Sequence, residues 1–152
     1  MAAGYTVETN GDQALAAATA ETILSIVGAS NKIFRIVELS VSFDGVSPTA
    51  EPVTVELMGS TEAGAGTSTN HTAAQIRGAT RTVESQGKRG FSAEPSSLTC
   101  WKRWLVHPQS GMTIQFPLGR EPEQITTADA IVVRVTAPAV VNAQGYMEWE
   151  EG

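Results

Sequence analysis

The chain has 152 residues, 41% of them hydrophobic and only 17% charged, with a net charge of −6 at pH 7. That length suits one domain, which buries roughly 68–70% of the surface its unfolded form exposes. The acidic balance excludes the phosphate-driven affinity of an ordinary nucleic-acid binder, and the hydrophobic content excludes a charge-driven disordered chain.

Taken in chain order, the first twenty residues hold a short alternating stretch at Tyr5–Glu8 and an alanine-rich run at Asp12–Ala20. Residues 1–20 are expected to form an arm or a turn or two of helix ahead of a domain spanning 21–152. The opening Met-Ala-Ala-Gly-Tyr lacks the basic and apolar regions of a secretory signal, and no apolar run approaches the ~20 residues that cross a bilayer. A cytosol-like site of synthesis and no membrane partner are therefore expected.

The strongest pattern is alternation with period two. Glu21–Val27 is a candidate strand. From Ile33 to Asp44, Ile33, Arg35, Val37, Leu39, Val41 and Phe43 share one face, while Phe34, Ile36, Glu38, Ser40, Ser42 and Asp44 share the other. From Val37 onward this reads as a half-buried strand with a wet outer face. Asp44-Gly45 supplies turn chemistry, Pro48 stays out of the sheet, and Val53, Val55 and Leu57 resume the alternation, so the two strands read as a hairpin.

Further on, Leu98–His107, Thr113–Phe116, Ile131–Ala137 and Tyr146–Glu150 complete about eight strands. The expected fold is an all-β, antiparallel β-sandwich, jelly-roll-like, with one long loop excursion. That excursion is Gly59–Ser97, rich in Gly, Ser, Thr and Ala, with a short strand expected around Thr80–Glu84. A connection of this length is generally functional or unstructured.

Charge is uneven along the chain. Arg77, Arg81, Lys88, Arg89, Lys102 and Arg103 face only Glu84 and Glu94, giving that stretch +4 within a remainder of −10. Such a segment suits docking onto an acidic protein surface or self-association, or is an ordinary solvated loop. Trp101 and Trp104, three apart on a strand, are expected on opposite faces. Both rings pack inside, or one meets a partner or a sugar. The candidate protein-binding residues are therefore Arg77, Arg81, Lys88, Arg89, Trp101 and Trp104.

The residues that carry chemistry are sparse. His71 and His107 lack a ligand at metal spacing. Cys100 lies among Trp101, Trp104 and Leu105 and reads as a buried, inert thiol. Gly64-Ala65-Gly66 and Gly90-Phe91-Ser92-Ala93 are near-misses of phosphate-binding and hydrolase motifs, with Thr69 and Glu94 where glycines belong. Glu121 with Glu123, and Glu148, Glu150 and Glu151, could supply paired carboxylates, but Glu148 and Glu150 share the face opposite Met147 and Trp149, as a solvated face would. No catalysis, cofactor or metal is expected.

One resemblance covers most of Glu21–Glu150. Gly28-Ala29-Ser30-Asn31 leads into Ile33–Phe43. Pro52-Val53-Thr54-Val55-Glu56-Leu57, Gln75-Ile76-Arg77-Gly78 and Gln144-Gly145-Tyr146-Met147-Glu148-Trp149-Glu150 follow. In these strands and turns the chain resembles small β-sandwich proteins among the virion structural proteins of tailed bacteriophages, which include head decoration (cement) proteins. The resemblance implies binding to the major capsid protein, self-association as a homotrimer or homodimer, and residence on the capsid surface after synthesis in the host cytoplasm. The competing expectation is a carbohydrate- or receptor-binding module of a tail fibre, with Trp101 or Trp104 as a stacking platform.

Overall fold

The computed structural model describes residues 2–30, 32–44, 51–61, 67–124 and 129–152. These form no helix and thirteen strands in two antiparallel sheets. The strands are β1 (Ala3–Glu8), β2 (Gln13–Leu15), β3 (Ala20–Val27), β4 (Phe34–Asp44), β5 (Val53–Ser60), β6 (Thr69–His71), β7 (Ala74–Arg77) and β8 (Gln86–Arg89). The rest are β9 (Leu98–Val106), β10 (Met112–Gln115), β11 (Glu123–Gln124), β12 (Ala130–Thr136) and β13 (Val141–Glu151). One sheet runs β10-β4-β13-β1-β7, with β11 on β4 and β2 on β13; the other runs β6-β8-β3-β12-β5-β9.

The two sheets pack face to face as a β-sandwich. Tyr5, Ile36, Leu39, Met147 and Trp149 come from the first sheet and Ile26, Leu57, Ile131 and Val135 from the second, all within one buried cluster. Tyr5 and Trp149 lie with ring centroids 5.7 Å apart and tilted by 35°, a contact that adds about 0.5–1.5 kcal/mol beyond area burial.

All eight strands expected from alternation are present. The five others, β2, β6, β7, β8 and β11, have two to four residues each, too short to show a period.

The division at residue 20 does not hold. β1 lies between β13 and β7, and β2 pairs with β13. Tyr5, Val7 and Leu15 are buried core residues, so this stretch is anchored by the same hydrophobic burial as the rest. β4 and β5 are not a hairpin, because β4 belongs to the first sheet and β5 to the second. The Asp44-Gly45 turn, Pro48 and the Gly64-Ala65-Gly66 run involve residues 45–50 and 62–66, outside the described residues.

A bulge explains why both faces of early β4 read as apolar. Glu148 pairs with Glu38 but Trp149 pairs with Ile36, leaving Val37 as an extra residue. The extra residue reverses which parity points inward. Phe34 and Ile36 are buried before it, and Leu39 and Val41 after it.

Residues 90–97 join β8 to β9 and must cross the second sheet to do so. On the way, the Glu94 carboxylate accepts hydrogen bonds from the Thr22 N–H and hydroxyl on β3, and the Ser96 carbonyl accepts one from the Ser60 hydroxyl on β5. Between those two strands lies β12, where Val132 is buried on the face opposite Val133, in a cluster with Ala130 and Met58. The strap therefore lies over an apolar patch on the outside of the sandwich. The last eight residues of the long excursion thus cover the second sheet.

Candidate functional site

The segment from 69 to 89 contributes marginal strands to both sheets: β7 is an edge of the first, and β6 is an edge of the second with β8 next to it. Thr80–Glu84 is not a strand. Side chains hold it instead: the Gln75 amide donates to the Ala79 carbonyl at 2.7 Å, and the Glu151 carboxylate accepts from the N–H groups of Glu84 and Ser85 at 2.7 and 3.0 Å. Glu151 is only 4% exposed. It has the same parity as Met147 and Trp149, so the alternation separates it from Glu148 and Glu150 and places it on the buried face.

The basic segment turns much of its charge back onto the chain. Arg77 reaches Glu150 at 3.0 Å and Glu148 at 3.4 Å. Arg89 donates through Nε to His71 Nδ1 at 3.1 Å, and His71 Nε2 lies 3.9 Å from Glu8. Arg81 is exposed, while its backbone carbonyl accepts from the buried Tyr5 hydroxyl at 3.4 Å. Lys88 lies on β8 opposite Ser25 of β3. Burial and the Glu151 carboxylate hold the Tyr5 hydroxyl above its ordinary pKa.

Trp101 and Trp104 stand apart from these residues. They lie on β9, which is at the far side of the second sheet from β6 and β8. The six candidate residues therefore do not form one patch: Arg77, Arg81, Lys88 and Arg89 sit toward the β7 and β8 side, and the tryptophans on the opposite edge.

The two tryptophans also do not occupy opposite faces. Leu57 pairs with Lys102 but Met58 pairs with Cys100, so Trp101 is a bulged residue. Its ring fills the place where a side chain on Gly59 would project, with Cζ2 2.3 Å from the position of such a Cβ. Gly59 shares its parity with the buried residues Val55 and Leu57, so Trp101 lies on the inner side, as does Trp104, which pairs with Val55 and packs against the core. Trp101 nevertheless remains 40% exposed at the rim.

Cys100 is exposed, contrary to the buried thiol expected from its neighbours. It pairs with Met58 on an edge strand, where no further strand among the described residues flanks it. Partial desolvation and the nearby Glu56 carboxylate hold its pKa above the ordinary thiol value. Glu56, on β5, is itself 3% exposed and binds two guanidinium groups, Arg103 at 2.8 Å and Arg134 at 3.1 Å. Burial pushes the Glu56 carboxyl up, but the hydrogen bond from Arg103 and the charge of Arg134 outweigh it and leave the pKa lowered.

A second polar constellation lies on the outer face of the first sheet. The Tyr146 hydroxyl donates to Glu38, and the Gln115 amide donates to the other Glu38 oxygen at 2.6 Å. These hydrogen bonds lower the Glu38 pKa, and the bond to Glu38 raises that of Tyr146. Beside it, Glu8, Ser40, Ser42, Gln144 and Tyr146 line a shallow groove of about 210 Å³. Gln144 is bound to Asp12 at 2.6 Å and Ser40 lies 3.0 Å from the Thr113 hydroxyl.

Among the described residues, no group of three or more His, Cys, Asp or Glu side chains is placed to hold a metal ion. Among the same residues, no helix is long and apolar enough to cross a membrane. No protein-family model, curated protein or solved structure matches the chain.

β9 combines an unpaired strand edge with exposed apolar side chains. It runs for nine residues, and among the described residues it pairs only with β5. Leu105 is 71% exposed and Trp101 40%. Two cations and no carboxylate lie along it. The tryptophan spacing pointed to this strand; the fact that it is an edge was not visible in the sequence, because strand order depends on distant pairings.

Proposed function

We propose that this chain is a non-catalytic binding domain, and specifically a virion structural protein of the decoration type that attaches to the outer surface of a phage capsid. The observation that carries the binding role is the exposed β9 edge with Trp101, Lys102 and Leu105. A sandwich held by a continuous core presents such an edge rigidly, which limits the entropy lost on docking. The capsid as partner, and self-association as a homotrimer or homodimer, rest on the resemblance of the strands and turns to virion proteins.

The test is co-sedimentation of the purified protein with expanded, undecorated capsids, followed by cryo-EM of the decorated particle. Density for the sandwich on the outer lattice is the expected result. Absence from the pellet at saturating protein removes the capsid reading. In the same assay, Trp101→Ala and Lys88→Glu distinguish the two sides of the second sheet: the first weakens attachment if the β9 edge docks, the second if the β6–β8 side does.

A second reading is a carbohydrate- or receptor-binding module. It is favoured by the groove beside Tyr146, where hydroxyl, amide and carboxylate groups are already held in place by hydrogen bonds to one another. Glycan-array binding that disappears in Tyr146→Ala supports it, and silence across the array rules it out.

A further inference from the structure

The four edges of the two sheets differ in length. Three end in short strands: β6 with three residues, and β7 and β10 with four each. β9 has nine. A long edge strand offers a row of backbone N–H and C=O groups that another strand can pair with, and proteins usually blunt such edges by shortening, covering or charging them. The short strands blunt three of these edges. On β9, among the described residues, the only such devices are the bulge at Trp101 and the cations Lys102 and Arg103.

Those cations decide what can pair there. Arg103 shares the Glu56 carboxylate with Arg134, so two guanidinium groups meet one carboxylate and the cluster keeps a positive charge. Lys102, the preceding residue, pairs with Leu57 and is exposed on the other face of the strand. A second copy of β9 brings two more cations and no carboxylate into the same few residues, and like charges across a strand pair are unfavourable. The chain's other edges do not help: β6, β7 and β10 contain no acidic residue, and β11 has only two residues, with its Glu123 facing Arg35 of β4. An acidic strand from a different protein satisfies both the backbone and the charge.

We propose that the free edge of β9 is a strand-addition site for an extended, acidic segment of a partner protein, with Lys102 and the Glu56–Arg103–Arg134 cluster selecting acidic residues and Leu105 and Trp101 supplying apolar contact. In this mode backbone hydrogen bonds supply affinity and alternate side chains supply specificity. The inference rests on the binding role proposed above but not on a capsid as the partner.

The probe is a capped seven-residue peptide alternating valine and glutamate, with a valine–lysine peptide as its control. Each is titrated to millimolar concentration into the isotopically labelled protein and followed by amide NMR. The expected result is that the glutamate peptide shifts and protects β9 amides and binds at least about tenfold tighter than the lysine peptide, the size of one attractive cross-strand pair replaced by a repulsive one. Lys102→Glu narrows or inverts that preference, and the same spectra report whether the variant is folded.

Equal response to both peptides, shifts confined to other strands, or no response overturns the proposal. So do β9 shifts that depend on protein concentration without peptide, which assign the edge to a second copy instead. Peptide binding at β9 without attachment to capsids removes only the capsid reading.

Discussion

Arg103 reaches from the exposed edge strand to Glu56 on the neighbouring strand, closing an ion pair at 2.8 Å in which the carboxylate is 4% exposed and the guanidinium 62%. The pair is one-sided: the anion has left water and the cation has not. Arg134 binds the other carboxylate oxygen from β12. Glu56 thus joins three adjacent strands of the second sheet through one side chain.

Removing that anion leaves Arg134, which is 25% exposed, without its counterion. Glu56→Gln is expected to cost about 3 kcal/mol, the lower end for breaking a buried pair. Replacing Glu56 and Arg134 together by leucine and methionine is expected to cost less than the single change, because no charge is then left stranded. Urea unfolding of the two variants at neutral pH checks both the size and the order.

Acid sensitivity follows from the same group. The pKa values of Glu56 and Glu38 are both lowered in the folded chain, whereas an unfolded glutamate titrates at about 4.3. As pH falls below about 4.3 the unfolded state takes up these protons first. The stability they contribute is therefore complete above that pH and is lost as pH falls through the lower folded values. Thermal melts between neutral pH and pH 3 are expected to show a steep loss in that window, shallower in Glu56→Gln.

Gly59→Ala tests the seat of Trp101. A Cβ there has no room without moving the indole. The ring is expected to swing off the rim, red-shifting tryptophan emission, while Gly59→Ala in a Trp101→Phe background shows no such shift. An unchanged spectrum in the first variant shows that the ring does not rest on Gly59.

Glu151→Ala removes the acceptor for the Glu84 and Ser85 N–H groups. Stranding two backbone donors that were bound to a charged acceptor is expected to cost about 2–3 kcal/mol. Hydrogen exchange is expected to accelerate first at residues 84 and 85. Uniform acceleration throughout the chain places the cost elsewhere.

The long strands were legible because a half-buried surface writes itself as alternation: Leu39 and Val41 against Ser40 and Ser42, Met147 and Trp149 against Glu148 and Glu150. Bulges are where this failed. One extra residue at Val37 or Trp101 reverses parity without any mark in composition, so Phe34 and Trp101 turn inward where a strict period two sends them out. The basic segment was visible, but not its partners. Arg77 is separated by 73 residues from Glu150, and only the sheet brings them together. β7 and β8 were missed because four residues that sit at a sheet's margin need no apolar pattern.

The place of β13 in the first sheet has a consequence for how the protein is made. β13 comes after every other strand in the chain, yet it pairs with β4 on one side and with β1 and β2 on the other. At roughly 5–20 residues per second of synthesis, the interval between the emergence of β1 and that of β13 is roughly 7–27 s. Throughout that time β1 and β4 lack the strand that joins them, and Tyr5, Val7 and Leu39 have no closed core to enter. The nascent chain therefore presents apolar strands to the cell before it can bury them, and a chaperone that holds extended apolar segments is expected to engage it before residue 141 emerges.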